Sequence, residues 1–122
     1  MIERKYFSFL TFKVVVELRE DVPEGFNEVA AAGCHDEPDD KGRFRLWFSF
    51  KEDIPSLGTI AHESWHLFMT IMYYIDKLDH SFEELNSEMY AYNFHVLFST
   101  ILDIVLGSDT AKKRLETLEE EN

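Results

Sequence analysis

The chain of 122 residues has few basic residues and almost no cysteine. Its 12 Lys and Arg stand against 24 Asp and Glu, which gives a formal net charge of −12. Because contacts to phosphate backbones need clustered Lys and Arg, this balance argues against binding to nucleic acid or to an anionic membrane. The single cysteine, Cys34, excludes an intramolecular disulfide and gives no sign of an oxidising compartment.

Long apolar runs are also missing from the sequence. No segment reaches the roughly 20 apolar residues of a membrane-spanning helix. The apolar N-terminal stretch is interrupted by Ser8, Thr11 and Lys13, and no small-residue cleavage site follows, so we predict no signal peptide. Since the chain also lacks repeats, a long linker and low-complexity segments, we predict a single domain over residues 1–122, in the cytoplasm. Hydrophobic residues make up 45% of the chain, which is enough for one packed core.

The first half of the sequence has patterns typical of strands. Apolar residues alternate over residues 5–19, which we predict to be the first strand, and again over 43–50, the third. Residues 26–34 contain three consecutive alanines that can be helical, but their shortness and the flanking turns favour a second strand. Turns are indicated at residues 22–25 and 36–42. We therefore expect two antiparallel hairpins or one meander.

The second half has the periodicity of helices. The first helix is predicted over residues 55–77. Ser81 and Glu84 fit the capping box S-x-x-E, which predicts a long second helix over residues 81–106 that stops at Gly107, before a short last helix. Large side chains expected in the core of the first helix are Trp65, Phe68, Met69, Met72 and Tyr73. The predicted fold is α+β, a small antiparallel sheet of about three strands followed by three helices.

The first predicted helix contains the pattern H-E-x-x-H at residues 62–66. His62 and His66 are one turn apart, so their side chains share a face of the helix. Two imidazoles at that spacing can bind one Zn²⁺ at about 2.0–2.1 Å. Glu63 is displaced around the helix, so its carboxylate can reach a metal-bound water rather than the metal. These residues predict a zinc site with a general base; the alternative is an amphipathic helix with two capped or core histidines.

A zinc site of this kind needs a third protein ligand and an open fourth position. A third histidine six residues after His66 is excluded, because that residue is Met72. The second helix must return antiparallel to the first, which can bring Glu88 near the level of the two histidines. Tyr92 and His95 follow Glu88 on the same stripe of that helix. The other downstream candidates are Asp76, Asp79, His80, Glu83 and Glu84.

Two strings within about residues 57–96, GTIAHESWH and NSEMYAY, carry a resemblance to known families. An H-E-x-x-H helix followed by a Glu on the next helix resembles the gluzincin class of thermolysin-like metallopeptidases. The strings look closer still to small, uncharacterised phage and prophage proteins that carry a G-T-x-A-H-E-x-x-H segment and then an E-x-x-A-Y segment. These 122 residues hold no counterpart of the C-terminal domain that forms the far wall of the substrate cleft in larger gluzincins.

The resemblance implies a minimal zincin-like fold and a peptidase that acts on a peptide or protein substrate. It implies that His62, His66 and Glu88 bind Zn²⁺ and that Glu63 is the general base. Tyr92 matches the tyrosine of the second segment, and we predict that its hydroxyl contacts a ligand side chain or the zinc water.

Two other functions are compatible with the same residues. The run Asp79-His80-Ser81-Phe82 resembles the SprT-like proteases, in which a third histidine follows on a loop, so His80 is an alternative third ligand. A non-catalytic alternative is a zinc-stabilised binding module, such as a phage protein that captures a host factor. A scaffold without metal is the remaining possibility.

Overall fold

The structure, a computed structural model, describes residues 2–27, 30–78 and 87–121. Four strands come first: β1 (Ile2–Phe9), β2 (Phe12–Arg19), β3 (Ala32–Cys34) and β4 (Arg43–Ser49). Three helices follow: α1 (Leu57–Leu78), α2 (Ser87–Leu106) and α3 (Asp109–Glu121). The predicted α+β class is confirmed, as are the helix that carries the H-E-x-x-H pattern and the end of α2 before Gly107. The predicted capping box at Ser81 and Glu84 lies outside the described residues.

The sheet differs from the prediction in strand number and in direction. Residues 5–19 belong to two strands, β1 and β2, joined by a two-residue turn in which Leu10 and Thr11 have positive φ angles of 48° and 71°. Such a turn suits a tight hairpin, but without Gly or Asn it gives no signal in the sequence. The strand order is β1-β2-β4-β3, so β4 lies beside β2 and parallel to it. The sheet is therefore mixed rather than antiparallel. Segment 20–42 is long enough to return the chain to the start of β2 before β4 begins, so the two strands run in the same direction.

The core lies between one face of the sheet and the helices. Alternate residues of the two central strands face the helices and are buried: Val14, Val16 and Leu18 in β2, and Phe44, Leu46 and Phe48 in β4. The helices contribute Ile60, Leu67, Phe68 and Ile71 from α1 and Leu97, Ile101 and Val105 from α2. These residues form one buried cluster, which fixes α1 against β3 and β4.

On the face of the sheet away from the helices, a close approach of side chain to backbone fixes the edge strand β3 against β4. Trp47 of β4 is fully buried there, and the ring of Phe26 packs edge-on against its indole at 5.0 Å. Gly33 is the register partner of Trp47, and a Cβ at Gly33 would lie 2.5 Å from the indole Nε1. Only glycine at this position therefore leaves room for the indole against β3. β3 is the strand that flanks the site described below.

The second helix is the most apolar one. Over Glu88–Leu106 it has the length and composition of a membrane-spanning helix, with a mean hydropathy of 1.3. Only 17% of that window is buried inside the protein. The buried residues, Leu97, Ile101 and Val105, all lie on the face of α2 that packs into the core. The window does not reach the roughly 20 apolar residues of a membrane span, because it contains Glu88, Asn93, His95 and Asp103, and length and composition alone are weak evidence for one.

Candidate metal and catalytic site

The two histidines of the H-E-x-x-H pattern meet on the outer face of α1. The hydroxyl of Ser56 accepts a hydrogen bond from the Thr59 N–H at 3.1 Å and so caps the start of the helix. One turn further on, the Nε2 atoms of His62 and His66 lie 3.1 Å apart, and 67% of the His62 side chain is exposed. Two nitrogen ligands at about 2.0–2.1 Å from a tetrahedral Zn²⁺ lie about 3.3–3.4 Å from each other. The pair therefore fits two adjacent positions of such an ion.

Glu63 lies on the other side of the same turn and is buried. Its residue is 8% exposed, and its Oε1 lies 4.0 Å from the Nε2 of His62. Burial removes water from the carboxylate and raises the pKa of Glu63, although the two histidines oppose this change. A carboxyl with a raised pKa is a stronger base once it is ionised, which is the property that a general base needs.

A cavity of about 280 Å³ opens beside Glu63 and His66. The remaining residues that line it are Phe26, Ala32, Gly33, Cys34, Asp36 and Thr70. Its far wall is β3, which pairs with β4 along one edge and is the last strand of the sheet. The site thus lies between the motif helix and a strand edge whose backbone N–H and C=O groups have no strand partner among the described residues.

Two side chains of this wall, Cys34 and Asp36, were not predicted from the sequence. Burial, reinforced by the negative charges of Glu63 and Asp36, raises the pKa of the Cys34 thiol to about 12. Without a metal, the thiol is therefore neutral at physiological pH and is not a nucleophile. Both residues reach α1 only because β3 is placed at the sheet edge, and neither motif spacing nor periodicity carries that information.

The predicted third ligand, Glu88, is exposed in the first turn of α2. Ring contacts set the register of the two helices: Trp65 lies 5.2 Å from Phe94, and Phe68 lies 6.2 Å from Tyr90. Glu88 precedes Phe94 by six residues, which is about 9 Å along the helix. It therefore lies beyond the level of the histidine pair, toward the C-terminal end of α1. Among the described residues, no group of three or more His, Cys, Asp or Glu side chains can hold a metal.

The other proposed site residues lie outside this arrangement. Tyr92 is 68% exposed, and within the described part of the chain no hydrogen bond joins it to His62 or His66. His95 is exposed on α2, one residue after Phe94, which contacts Trp65. His80, the alternative third ligand, lies outside the described residues. The roles of Glu88, Tyr92 and His80 remain predictions.

An apolar stripe runs beside the histidine pair on the outer face of α1. Trp65, Met69 and Tyr73 follow one another at intervals of four residues and are 47–57% exposed. The expectation that they belong to the helix core is wrong, whereas Phe68 and Met72 are buried as predicted. The Trp65 ring also packs on Phe68 and Phe94, so only the exposed parts of these side chains can contact another molecule.

Comparison of the chain with models of protein families, with curated proteins and with solved structures gives no match. The resemblance of residues 57–96 to gluzincins and to phage proteins therefore stays a prediction. What the site does has to be inferred from the chemistry of its own side chains.

Proposed function

We propose that the protein is a zinc-dependent hydrolase, a cytoplasmic metallopeptidase that cleaves a peptide or protein substrate. One observation carries the proposal: the Nε2 atoms of His62 and His66 lie 3.1 Å apart, directly beside the buried carboxylate of Glu63. Core histidines, one alternative interpretation of the motif, are disfavoured because both rings are exposed. Histidines that only cap each other through the 3.1 Å contact between their Nε2 atoms would bind no zinc.

Two of the residues present, His62 and His66, suit a catalytic zinc ion. We assign His62 and His66 as two ligands, and Glu88 as the third by resemblance to the gluzincins. Bound Zn²⁺ would supply Lewis acidity to the scissile carbonyl and to a water molecule. Glu63 would take the proton of that water and pass it to the leaving amine. Its raised pKa suits both steps, because the carboxyl must accept a proton and then release it.

The strand edge of β3 gives the proposed substrate a place to bind. An extended peptide can add to an exposed strand edge through backbone hydrogen bonds. Such a peptide would lie along the cavity that contains Glu63 and His66. Backbone pairing of this kind tolerates many side chains, so it favours a peptide over a substrate of other chemistry.

A second candidate is a zinc-binding interaction protein without activity. The half-exposed stripe of Trp65, Met69 and Tyr73 favours it, because aromatic and Met side chains are enriched in protein interfaces. In this case the metal would order the outer face of α1, and the stripe would contact the partner.

Zinc content and the effect of Glu63→Gln on activity separate these functions. Protein purified without added metal is analysed for zinc, with His62→Ala as the variant that loses a ligand and His95→Ala as the matched histidine control. We expect about one zinc per chain in wild type and in His95→Ala, and a loss in His62→Ala. Peptidase activity that disappears in Glu63→Gln while zinc is retained supports the enzyme. If wild type contains no zinc and takes up none at neutral pH, both zinc-dependent functions are wrong.

The third ligand has its own experiment. Zinc affinity is compared in Glu88→Ala and in His80→Ala. We expect Glu88→Ala to weaken zinc binding and His80→Ala to leave it unchanged. The reverse result would favour the SprT-like arrangement.

A further inference from the structure

A second cavity lies between the sheet and α3. It shares no lining residue with the cavity beside Glu63. The parallel strands β2 and β4 both end here, and Glu20 and Lys51 lie just after their last residues. The cavity has a volume of about 240 Å³, with Phe50 among its lining residues. One stripe of α3 forms the facing wall: Thr110, Lys113, Arg114 and Thr117.

The charge of this cavity is opposite to that of the whole chain. Three of the 12 Lys and Arg residues line it, Lys51, Lys113 and Arg114, although acidic residues outnumber basic ones twofold in the sequence. The single carboxylate among the lining residues is Glu20, whose Oε1 lies 3.8 Å from the Nζ of Lys113, and both side chains are more than half exposed. An exposed pair at that distance contributes little, so Glu20 neutralises only part of the positive charge.

The other two cations are not held by carboxylates. Within the described ranges, no carboxylate lies within ion-pair distance of Lys51 or Arg114. Arg114 donates one hydrogen bond from Nη2 to the carbonyl oxygen of Glu52 at 3.0 Å, and its Nε is buried without a partner. A guanidinium N–H that is buried without an acceptor is costly, so an oxygen acceptor brought by a ligand would stabilise Arg114.

We propose that this cavity binds an oxyanion of the size of phosphate, either free phosphate or the phosphate group of a small molecule. Arg114 and Lys51 supply the two charges without carboxylate partners, from α3 and from the end of β4. Lys113 supplies a third once the anion competes with Glu20. Guanidinium and ammonium groups that converge from separate elements are the usual recognition chemistry for phosphate oxygens. The site is independent of the proposed zinc chemistry.

Phosphate titration at constant ionic strength tests this site. Amide chemical shifts are followed by NMR with EDTA present, so that phosphate cannot bind through a metal at His62 and His66. We expect saturable shifts confined to the segment around Lys51 and to the 110–117 stripe. Chloride at the same ionic strength should give no saturable shifts. Repeating the titration with glycerol phosphate distinguishes the two sources, since tighter binding than that of phosphate indicates a phosphorylated small molecule.

Matched variants connect the shifts to the cavity. Lys51→Gln removes an exposed cation without touching the core and should weaken phosphate binding about tenfold. Glu20→Gln should strengthen it, because a competing carboxylate is lost. Lys112→Gln is the control, since Lys112 is an exposed cation on the same helix but does not line the cavity. Equal weakening in Lys51→Gln and Lys112→Gln, or shifts that chloride reproduces, would show that only general screening is measured and would overturn the proposal.

Discussion

The two faces of α1 differ in how far they are buried and in the side chains that they carry. The inner face, with Leu67, Phe68 and Ile71, is fully buried and joins the core between sheet and helices. The outer face carries His62 and His66 among half-exposed apolar side chains that the fold leaves uncovered. The comparison teaches that burial in the core accounts for the inner face, whereas the outer face is the one on which the proposed zinc and substrate would bind.

Removing one large side chain from each face of α1 tests this difference between the faces most strongly. Phe68→Ala should lower the free energy of unfolding by about 3–5 kcal/mol, because it leaves a cavity in the core. Met69→Ala, its half-exposed neighbour, should cost less than about 1 kcal/mol. Urea unfolding of both variants in EDTA measures the difference. A large loss of stability in Met69→Ala would mean that the outer face also supports the fold.

Glu63 is buried but lies beside His62, and its substitution should affect activity most. In any assay in which the wild type cleaves a peptide, Glu63→Gln should reduce turnover by about 10²–10⁴-fold, the usual contribution of a general base. Zinc affinity should hardly change, because Glu63 is not assigned as a ligand. Turnover and zinc affinity are measured on the same preparation, and a fully active Glu63→Gln variant would remove Glu63 from the mechanism.

Tyr92 tests whether the proposed zinc site extends from the outer face of α1 onto α2. If its hydroxyl supports a ligand when zinc is bound, Tyr92→Phe should cost about 10–100-fold in zinc affinity or activity. Tyr90→Phe is the matched control, because the Tyr90 ring packs against Phe68 on the core side. Wild-type zinc affinity and activity in Tyr92→Phe would leave Tyr92 no role beyond its exposed ring.

The buried carboxyl of Glu63 should also make stability depend on pH. Because its pKa is raised in the folded protein, the folded state holds this proton more tightly than the unfolded chain does. Stability is therefore lost as the pH rises from the ordinary Glu pKa through the raised one, and Glu63 costs stability at neutral pH. Metal-free Glu63→Gln should be more stable than wild type at pH 7, and the difference should shrink toward pH 4. Unfolding curves at the two pH values give the test, and a difference that does not change with pH would contradict it.

Local patterns in the sequence predicted the central strands and the motif helix, but not how distant segments are placed relative to one another. The alternation of Val14 and Val16 and of Phe44 and Leu46 identified the central strands, and the spacing of His62 and His66 is fixed by one turn of helix. In contrast, the turn at residues 10–11 has no glycine or asparagine, so the alternation seemed to continue through it.

Placement across the fold depends on packing that no local pattern encodes. The level of Glu88 relative to the histidines is set by aromatic contacts between α1 and α2. The approach of Cys34 and Asp36 to Glu63 follows from the parallel pairing of β2 with β4, which leaves β3 at the edge.

That parallel pairing has a consequence for how the chain folds. The hairpin of β1 and β2 brings together residues that are close in sequence, but each register pair between β2 and β4, such as Lys13 with Arg43, joins residues 30 positions apart. Closing so long a loop costs entropy before any contact repays it, so non-local pairing of this kind is slow. β3 and β4 form a second hairpin, whose register pairs lie only 12–16 residues apart, so the parallel pairing of β2 with β4 joins two locally formed hairpins. We therefore expect a newly made chain to form its two hairpins early and the parallel pairing that joins them late.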